Sequence, residues 1–178
     1  MAIKATIFKA DIQVTDMDRH YYQDHQLTIA RHPSENDERM MLRLLAFALH
    51  AHEYLALSKG ISSDEEPDIW QKSLSGEVEV WIDLGQPDEK RIRQACGRAQ
   101  KVVIYTYHER SALLWWQSVQ TKLNRFAQLK VILIPDSAMQ NMAQLAVRNM
   151  QLQYTIQDGE VLISNGSTAM QVMPSVLK

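Results

Sequence analysis

The strongest constraint on the fold is an alternation of strand and helix patterns over residues 77–134. Residues 77–84 alternate apolar and polar side chains with a period of two, which predicts a half-buried strand. Short apolar runs at 101–107 and 129–134 predict two further strands, and helical patterns fill the intervals between the strands. This order favours parallel strands joined by crossover helices. We therefore predict an α/β or α+β protein with a mixed central sheet and flanking helices.

Strand patterns also mark both ends of the chain. Residues 2–14 and 20–31 are rich in β-branched and small side chains, with a polar stretch between them, and predict an N-terminal hairpin. Residues 150–156, 161–164 and 169–173 predict a C-terminal β-meander. The Asp-Gly and Asn-Gly pairs between these last segments favour tight turns, because they readily adopt positive φ.

A long helix is predicted to follow the hairpin. Pro33 and the polar residues after it form a helix start signal, and the helix is expected to run to about Leu57. Apolar residues at helical spacing are expected to form one buried stripe: Met41, Leu44, Leu45, Ala48 and Leu55. Two strands, over 67–72 and 77–84, are then predicted before the next helix.

The composition is that of an ordinary globular protein. The chain has 178 residues, of which 46% are hydrophobic and 22% charged, so one domain is expected. A single cysteine, Cys96, excludes an intrachain disulfide and fits a reducing compartment. The N-terminal residues lack the apolar stretch of a signal peptide, and the run from Leu44 to Leu49 is too short to span a membrane. We therefore predict a cytoplasmic protein with no membrane partner.

The formal net charge of −2 conceals two opposed blocks. Residues 64–89 hold nine of the 21 acidic residues and one basic residue, Lys72, whereas residues 90–130 hold nine of the 19 basic residues and one acidic residue, Glu109. Crowded carboxylates favour a bound cation, and nearby basic residues can neutralise phosphates. The pattern suits metal-assisted phosphodiester hydrolysis. Two solvated faces that attract each other give the same pattern at little energetic cost.

Three blocks of the sequence are similar to the YaeQ family of small bacterial proteins. The first, over 31–46, contains the segments RHPS and ERMMxRLLA; the second, over 81–92, reads WIDLGxPDEKRI. The third runs from Leu152 to Ser164 and contains TIQDG. The resemblance covers nearly the whole chain and implies a single YaeQ-like domain over 1–178.

The YaeQ resemblance implies a variant of the PD-(D/E)XK, or restriction-endonuclease-like, nuclease fold. In that fold one strand carries Pro-Asp, the next carries Asp/Glu-x-Lys, and a preceding helix often adds a glutamate. Pro67-Asp68 fits the first element, and Asp83-Leu84-Gly85 resembles the second with glycine in place of lysine. Glu79-Val80-Trp81 is an alternative match, and Glu38 fits the helix position. The usual fold has three strands between these helices, so the N-terminal hairpin is expected to supply the third.

The resemblance also implies roles for the matching residues. Asp68 and Asp83, with Glu79 or Glu38, are expected to form the catalytic and metal site that holds Mg²⁺ for cleavage of nucleic acid. Basic residues near the motif can take the place of the missing lysine: Lys72, Lys90 or Arg91.

Three of these four carboxylates also have a structural interpretation. Glu38 can form a buried bridge to Arg31 or Arg43, because buried charges are usually paired. Asp68 can shape a turn after proline, and Asp83 and Asp88 can cap the helix that follows the strand over 77–84. On this alternative, the chain is a non-catalytic module that keeps a nuclease-like fold and binds nucleic acid or a protein.

Overall fold

The computed structural model describes residues 4–58 and 65–178. The strands are β1 (Thr6–Asp16), β2 (Tyr21–Arg31), β3 (Leu55–Leu57), β4 (Ile69–Lys72), β5 (Val78–Leu84), β6 (Ala99–Thr106), β7 (Leu129–Leu133), β8 (Asn149–Gln157), β9 (Glu160–Ser164), β10 (Ala169–Val172) and β11 (Ser175–Val176). The helices are α1 (Asp37–Leu49), α2 (Glu89–Arg98), α3 (Glu109–Leu123) and α4 (Asp136–Ala143). The α/β class is confirmed, but the strands form two mixed sheets and not one central sheet.

The first compact unit is built from residues 4–51 and 137–174 and contains a five-stranded sheet. Its strand order is β10-β9-β8-β1-β2, in which β1 and β8 run parallel and the other neighbours antiparallel. The predicted N-terminal hairpin and C-terminal meander are therefore confirmed, and both belong to this sheet. Alternate residues of β1 are buried, which gives the sheet an inner face against which α1 packs.

Helix α1 differs from its prediction in length and in burial. It ends at Leu49, and the turn that follows leads into β3, with Leu55 N donating to His52 O at 3.1 Å. Leu55 therefore belongs to a strand and not to the helical stripe. All residues from Met40 to Ala48 are buried, so α1 has no solvent-exposed face along this stretch.

The second compact unit, built from residues 52–58, 65–136 and 175–178, contains the six-stranded sheet β11-β7-β6-β5-β4-β3. Strands β5, β6 and β7 run parallel, and antiparallel strands extend the sheet on both sides. Helices α2 and α3 cover the same face of this sheet, since their apolar residues share a core cluster with Trp81, Val102 and Leu129.

The number of strands between α1 and α2 corrects one prediction. Three strands lie there, β3, β4 and β5, because the segment Leu55–Leu57 is extended and pairs with β4. The expectation that the N-terminal hairpin supplies the third strand is therefore wrong, because that hairpin belongs to the five-stranded sheet. Within the described ranges, no helix has both the length and the apolar character needed to cross a bilayer.

Replacing Tyr154 with phenylalanine should raise the free energy of unfolding by about 1 kcal/mol. The side chain is fully buried, and its hydroxyl has no hydrogen-bond partner within the described residues. Burial also raises the pKa of this phenol, because its charged form loses solvation. Urea unfolding of the Tyr154→Phe variant tests the prediction, with exposed Tyr22→Phe as the control. A loss of stability of about 1 kcal/mol would show that the hydroxyl is bonded.

Candidate functional site

The carboxylate of Asp83 is bound by an arginine of the same unit. Asp83 is buried on β5, on the face that α2 covers. Arg91 Nε donates to Oδ2 at 2.9 Å and Arg91 Nη2 donates to Oδ1 at 3.0 Å. Trp81 Nε1 adds a bond to Oδ2 at 3.0 Å. Both oxygens of Asp83 are thus engaged, in the bidentate arrangement that arginine and carboxylate favour.

The start of α2 fixes the position of Arg91. Gly85, with φ of 102°, turns the chain out of β5, and Asp88 then caps the helix by accepting from Arg91 N at 2.8 Å. Arg91 Nη2 also donates to the carbonyl oxygen of Glu66 at 3.1 Å. The guanidinium is therefore anchored at several points. Asp88 is the cap of this helix, and Asp83, for which a capping role was an alternative, binds the arginine side chain instead.

Asp68 lies immediately before β4 and is buried. Its Oδ2 accepts from the backbone N of Leu84 at 2.9 Å. Because Ile69 pairs with Ile82 in the antiparallel β4–β5 ladder, Asp68 lies beside the end of β5 that carries Asp83. The two predicted aspartates are therefore neighbours. Asp68 satisfies a backbone donor where the ladder ends.

Glu79 is placed away from this pair. It lies four residues before Asp83 on the same strand, a separation of about 13 Å along the backbone. Its Oε2 accepts from Gln71 Nε2 at 2.6 Å. Oxygens that share one Mg²⁺ lie within about 4 Å of each other, so Glu79 and Asp83 do not converge on one ion in this arrangement.

Glu38 lies in the first turn of α1, in the first compact unit, and is partly exposed. The suggested bridges from Glu38 to Arg31 or Arg43 are wrong. Arg31 pairs with Asp37, and Arg43 Nη2 pairs with Glu35 Oε2 at 2.7 Å.

Glu35 is a buried acid beside α1 that the sequence analysis missed. Its Oε1 accepts from Arg39 Nη1 at 3.1 Å while its Oε2 accepts from Arg43, and Arg43 Nη2 also donates to the carbonyl oxygen of Ala30 at 3.1 Å. The signal available in the sequence was the spacing of four residues between Glu35, Arg39 and Arg43. Glu35 precedes the helix, whereas the family motif places its glutamate on the helix, where Glu38 lies.

The arrangement around Asp83 does not fit Mg²⁺. An ion there would displace the Arg91 guanidinium and leave a largely buried cation without its carboxylate. Across residues 4–58 and 65–178, no group of three or more His, Cys, Asp or Glu side chains is placed to hold a metal ion. The Mg²⁺ site and the nuclease activity stay predictions drawn from the family resemblance.

Exposed basic residues lie on the second unit, on α2, α3 and the turn after α3. They are Lys90, Arg93, Arg98, Arg110, Lys122 and Arg125. Arg93 pairs with Glu89 at 3.1 Å, and Arg98 donates to the carbonyl oxygen of Glu65 at 3.0 Å. The other four form no ion pair with any residue that the structure describes. This surface, called the basic helix face below, carries positive charge that is not fully neutralised by the residues of the described ranges.

Cys96 should react with iodoacetamide at pH 7.5 at least about 100-fold more slowly than glutathione. Burial raises the pKa of its thiol to about 11, despite the opposing effect of Lys178, so almost no thiolate forms at neutral pH. The thiol also belongs to the core cluster beneath α2. Mass spectrometry of timed reactions measures the rate, and labelling in urea is the control. Labelling of the folded protein at the rate of glutathione would contradict this burial.

Comparison with known proteins agrees with the resemblance. The family model described as "YaeQ protein" matches residues 1–174. The "Uncharacterized protein YaeQ" of Escherichia coli (strain K12) is 45% identical over 172 residues, covering 97% of this chain and 95% of that protein. Its counterpart from Salmonella typhi is 44% identical over the same shares of both chains.

Two solved structures share the fold. The crystal structure of YaeQ protein from Xanthomonas axonopodis pv. citri has a TM-score of 0.94 at 42% identity and covers 98% of each chain. That of YaeQ protein from Pseudomonas syringae has a TM-score of 0.92 at 32% identity, covering 98% of this chain and 96% of that one. The chain therefore belongs to the YaeQ family.

Proposed function

We propose that this chain is a cytoplasmic, non-catalytic module that keeps a nuclease-like order of elements and binds nucleic acid. The observation that carries the non-catalytic part of this proposal is the bidentate bond between Arg91 and the buried carboxylate of Asp83, at 2.9 and 3.0 Å. The chain's own guanidinium thus takes the place that a metal ion would need. A carboxylate so engaged has a structural role.

The order of elements supports a nuclease-like origin. Along the chain, α1 is followed by β3, β4 and β5, and then by α2 and β6. Asp68 precedes the second of the three strands and Asp83 lies on the third, as the family resemblance implies. Glycine stands where the motif has lysine, and Arg91 supplies the positive charge from α2. These two differences from the motif favour a chain that keeps the nuclease-like fold but does not cleave nucleic acid.

The basic helix face supports nucleic acid as the partner. Phosphate groups repeat along nucleic acid and release bound counterions when lysine or arginine neutralises them. Lys90, Arg110, Lys122 and Arg125 have no ion pair with a described residue, so contact with a phosphate costs no existing bridge. The apolar sides of α2 and α3 face the sheet, which leaves these charges to solvent.

Fluorescence anisotropy with labelled 20-mers of single-stranded RNA, single-stranded DNA and duplex DNA tests the proposal. Four phosphate contacts predict about 100-fold weaker binding to duplex DNA at 200 mM than at 50 mM KCl. The double variant Lys122→Ala/Arg125→Ala should bind about tenfold more weakly at 50 mM and show a shallower salt dependence. The control is Lys130→Ala, because Lys130 lies on the opposite face of the sheet from α2 and α3. Salt-independent affinity, or equal losses in both variants, would refute the proposal.

A Mg²⁺-dependent nuclease is the second candidate, favoured by the adjacency of Asp68 and Asp83 at the end of β5. This function requires Arg91 to leave Asp83. The same labelled 20-mers, incubated with Mg²⁺, with Mn²⁺ or with EDTA and separated on a denaturing gel, distinguish the two functions. Intact substrate under all three conditions supports the binding module. Metal-dependent cleavage that Asp68→Asn and Asp83→Asn abolish would establish the nuclease.

A further inference from the structure

The outer face of the five-stranded sheet carries a regular array of polar side chains. Strand register places the same-face residues in rows: Asp11 with Gln26 and Gln151, and Gln13 with Asp24 and Gln153. All six side chains are exposed, whereas the residues between them on β1 and β8 are buried. The rows therefore form a surface that does not take part in the packing of α1 on the sheet.

This surface is concave. A depression of about 470 Å³ is lined by the six residues, by Asn165 and Gly166 of the β9–β10 loop, and by the residues between the two rows, which are Ile12, His25 and Leu152. A second depression of about 450 Å³ shares four lining residues with the first: Asp11, Gln151, Leu152 and Asn165. Asn165 Oδ1 accepts from the backbone N of Thr168 at 2.7 Å, which fixes the side chain and leaves its amide group free to donate. The two depressions form a groove, called the amide groove below, that suits an extended ligand.

The groove chemistry selects against phosphate. No lysine or arginine lines the first depression, and one lysine, Lys9, lines the second. Asp11 and Asp24 outnumber this lysine and give the groove a net negative charge. Nucleic acid, which the basic helix face suits, is therefore disfavoured here. Each glutamine amide can both donate and accept, and none of the four glutamines forms a side-chain hydrogen bond to the part of the chain that the structure describes.

Sugar hydroxyls match these groups, because a hydroxyl also donates and accepts, and a carboxylate accepts readily from hydroxyls. An aromatic ring extends the match. Tyr22 lies on the same sheet face, one row beyond Asp24 and Gln13, and its side chain is 55% exposed. An exposed ring beside polar groups can cover the apolar face of a pyranose. A cationic peptide would be favoured by an excess of carboxylates, but here amides outnumber them.

We infer that the amide groove binds a neutral oligosaccharide, held by the glutamine amides, Asp11 and Asp24, with Tyr22 against a sugar ring. The site lies within the first compact unit and is separate from the proposed nucleic-acid function. It requires neither the basic helix face nor Asp83.

Titration of the full chain with neutral hexasaccharides tests the inference. The probes are maltohexaose, cellohexaose, laminarihexaose and N-acetylchitohexaose. Binding is measured by isothermal calorimetry and by NMR shifts of the glutamine side-chain amides. At least one should bind with a Kd of about 1 mM or tighter, and shifts should map to Gln13, Gln151 and Gln153. No binding of any probe at about 10 mM, or binding of hexalysine alone, would overturn it.

Variants locate the binding. The double variant Gln13→Ala/Gln153→Ala should bind the hexasaccharide with an affinity at least fivefold lower than the wild type. A fivefold loss of affinity corresponds to about one lost hydrogen bond. Both residues are exposed, so the variant is expected to fold, which its unfolding curve checks. Gln117→Ala is the matched control, because Gln117 is an exposed glutamine on α3 outside the groove. Equal affinity of the double variant and the wild type would refute the amide groove as the site.

Discussion

Replacing Arg91 with methionine is expected to lower the free energy of unfolding by about 3 kcal/mol. The substitution keeps a long side chain but removes the cation that binds both oxygens of Asp83, and that carboxylate is only 3% exposed. Without Arg91 the buried carboxylate keeps only the bond from Trp81 among those described above, which does not compensate for its lost hydration. The arginine side chain is 18% exposed, so solvent can partly reach the site, and the loss should fall at the lower end of the range for buried pairs.

Urea unfolding monitored by tryptophan fluorescence measures this loss. Arg93→Met is the matched control, because Arg93 lies on the same helix and forms an exposed pair with Glu89; its removal should cost about 0.5 kcal/mol or less. The double variant Asp83→Leu/Arg91→Met should recover part of the stability, since no buried charge is then left alone. Equal free energies of unfolding for Arg91→Met and Arg93→Met would show that the Arg91–Asp83 ion pair does not stabilise the protein.

Replacing Glu35 with glutamine is expected to cost about 3–5 kcal/mol. Glu35 is 1% exposed and its partner Arg43 is 5% exposed, so this pair is more deeply buried than the one at Asp83. The substitution keeps the shape but removes the negative charge and leaves one acceptor oxygen in place of two, so either Arg39 or Arg43 faces an amide donor and loses its bond. Arg43 Nε already lacks a partner within the described residues, so the site has no spare acceptor.

The control for Glu35→Gln is Glu38→Gln, which changes a partly exposed acid in the first turn of α1. That variant should lie within about 0.5 kcal/mol of the wild type. Thermal unfolding of both variants compares the two acids directly. A larger loss for Glu38→Gln than for Glu35→Gln would reverse the assignment and restore Glu38 as the buried carboxylate.

Regular patterns made most of the fold predictable from the sequence. The period of two in residues 77–84 identified β5, and the turn signals between the C-terminal segments identified the meander, because each pattern depends on near neighbours. Strand β3 was missed because it has three residues, too few for a period to show, and Leu55 falls at helical spacing from α1. The division into two sheets depends on pairing between distant segments, such as β1 with β8, which local patterns do not report.

The candidate site was predictable only as a set of residues. The family motif identified Asp68 and Asp83, and the two lie side by side. The motif could not identify their partners, because the bond from Arg91 to Asp83 depends on the turn at Gly85 and the start of α2. Spacing alone therefore could not distinguish an aspartate that binds a metal ion from one that an arginine neutralises.

If Arg91, and not a metal ion, neutralises Asp83, a crystal of this protein soaked in MnCl₂ should show no anomalous diffraction peak near Asp68 or Asp83. Both Arg91 bonds to the carboxylate should be retained in that crystal. An anomalous peak between the two aspartates, with the guanidinium displaced, would instead mean that Asp83 binds metal and would support a metal-dependent nuclease.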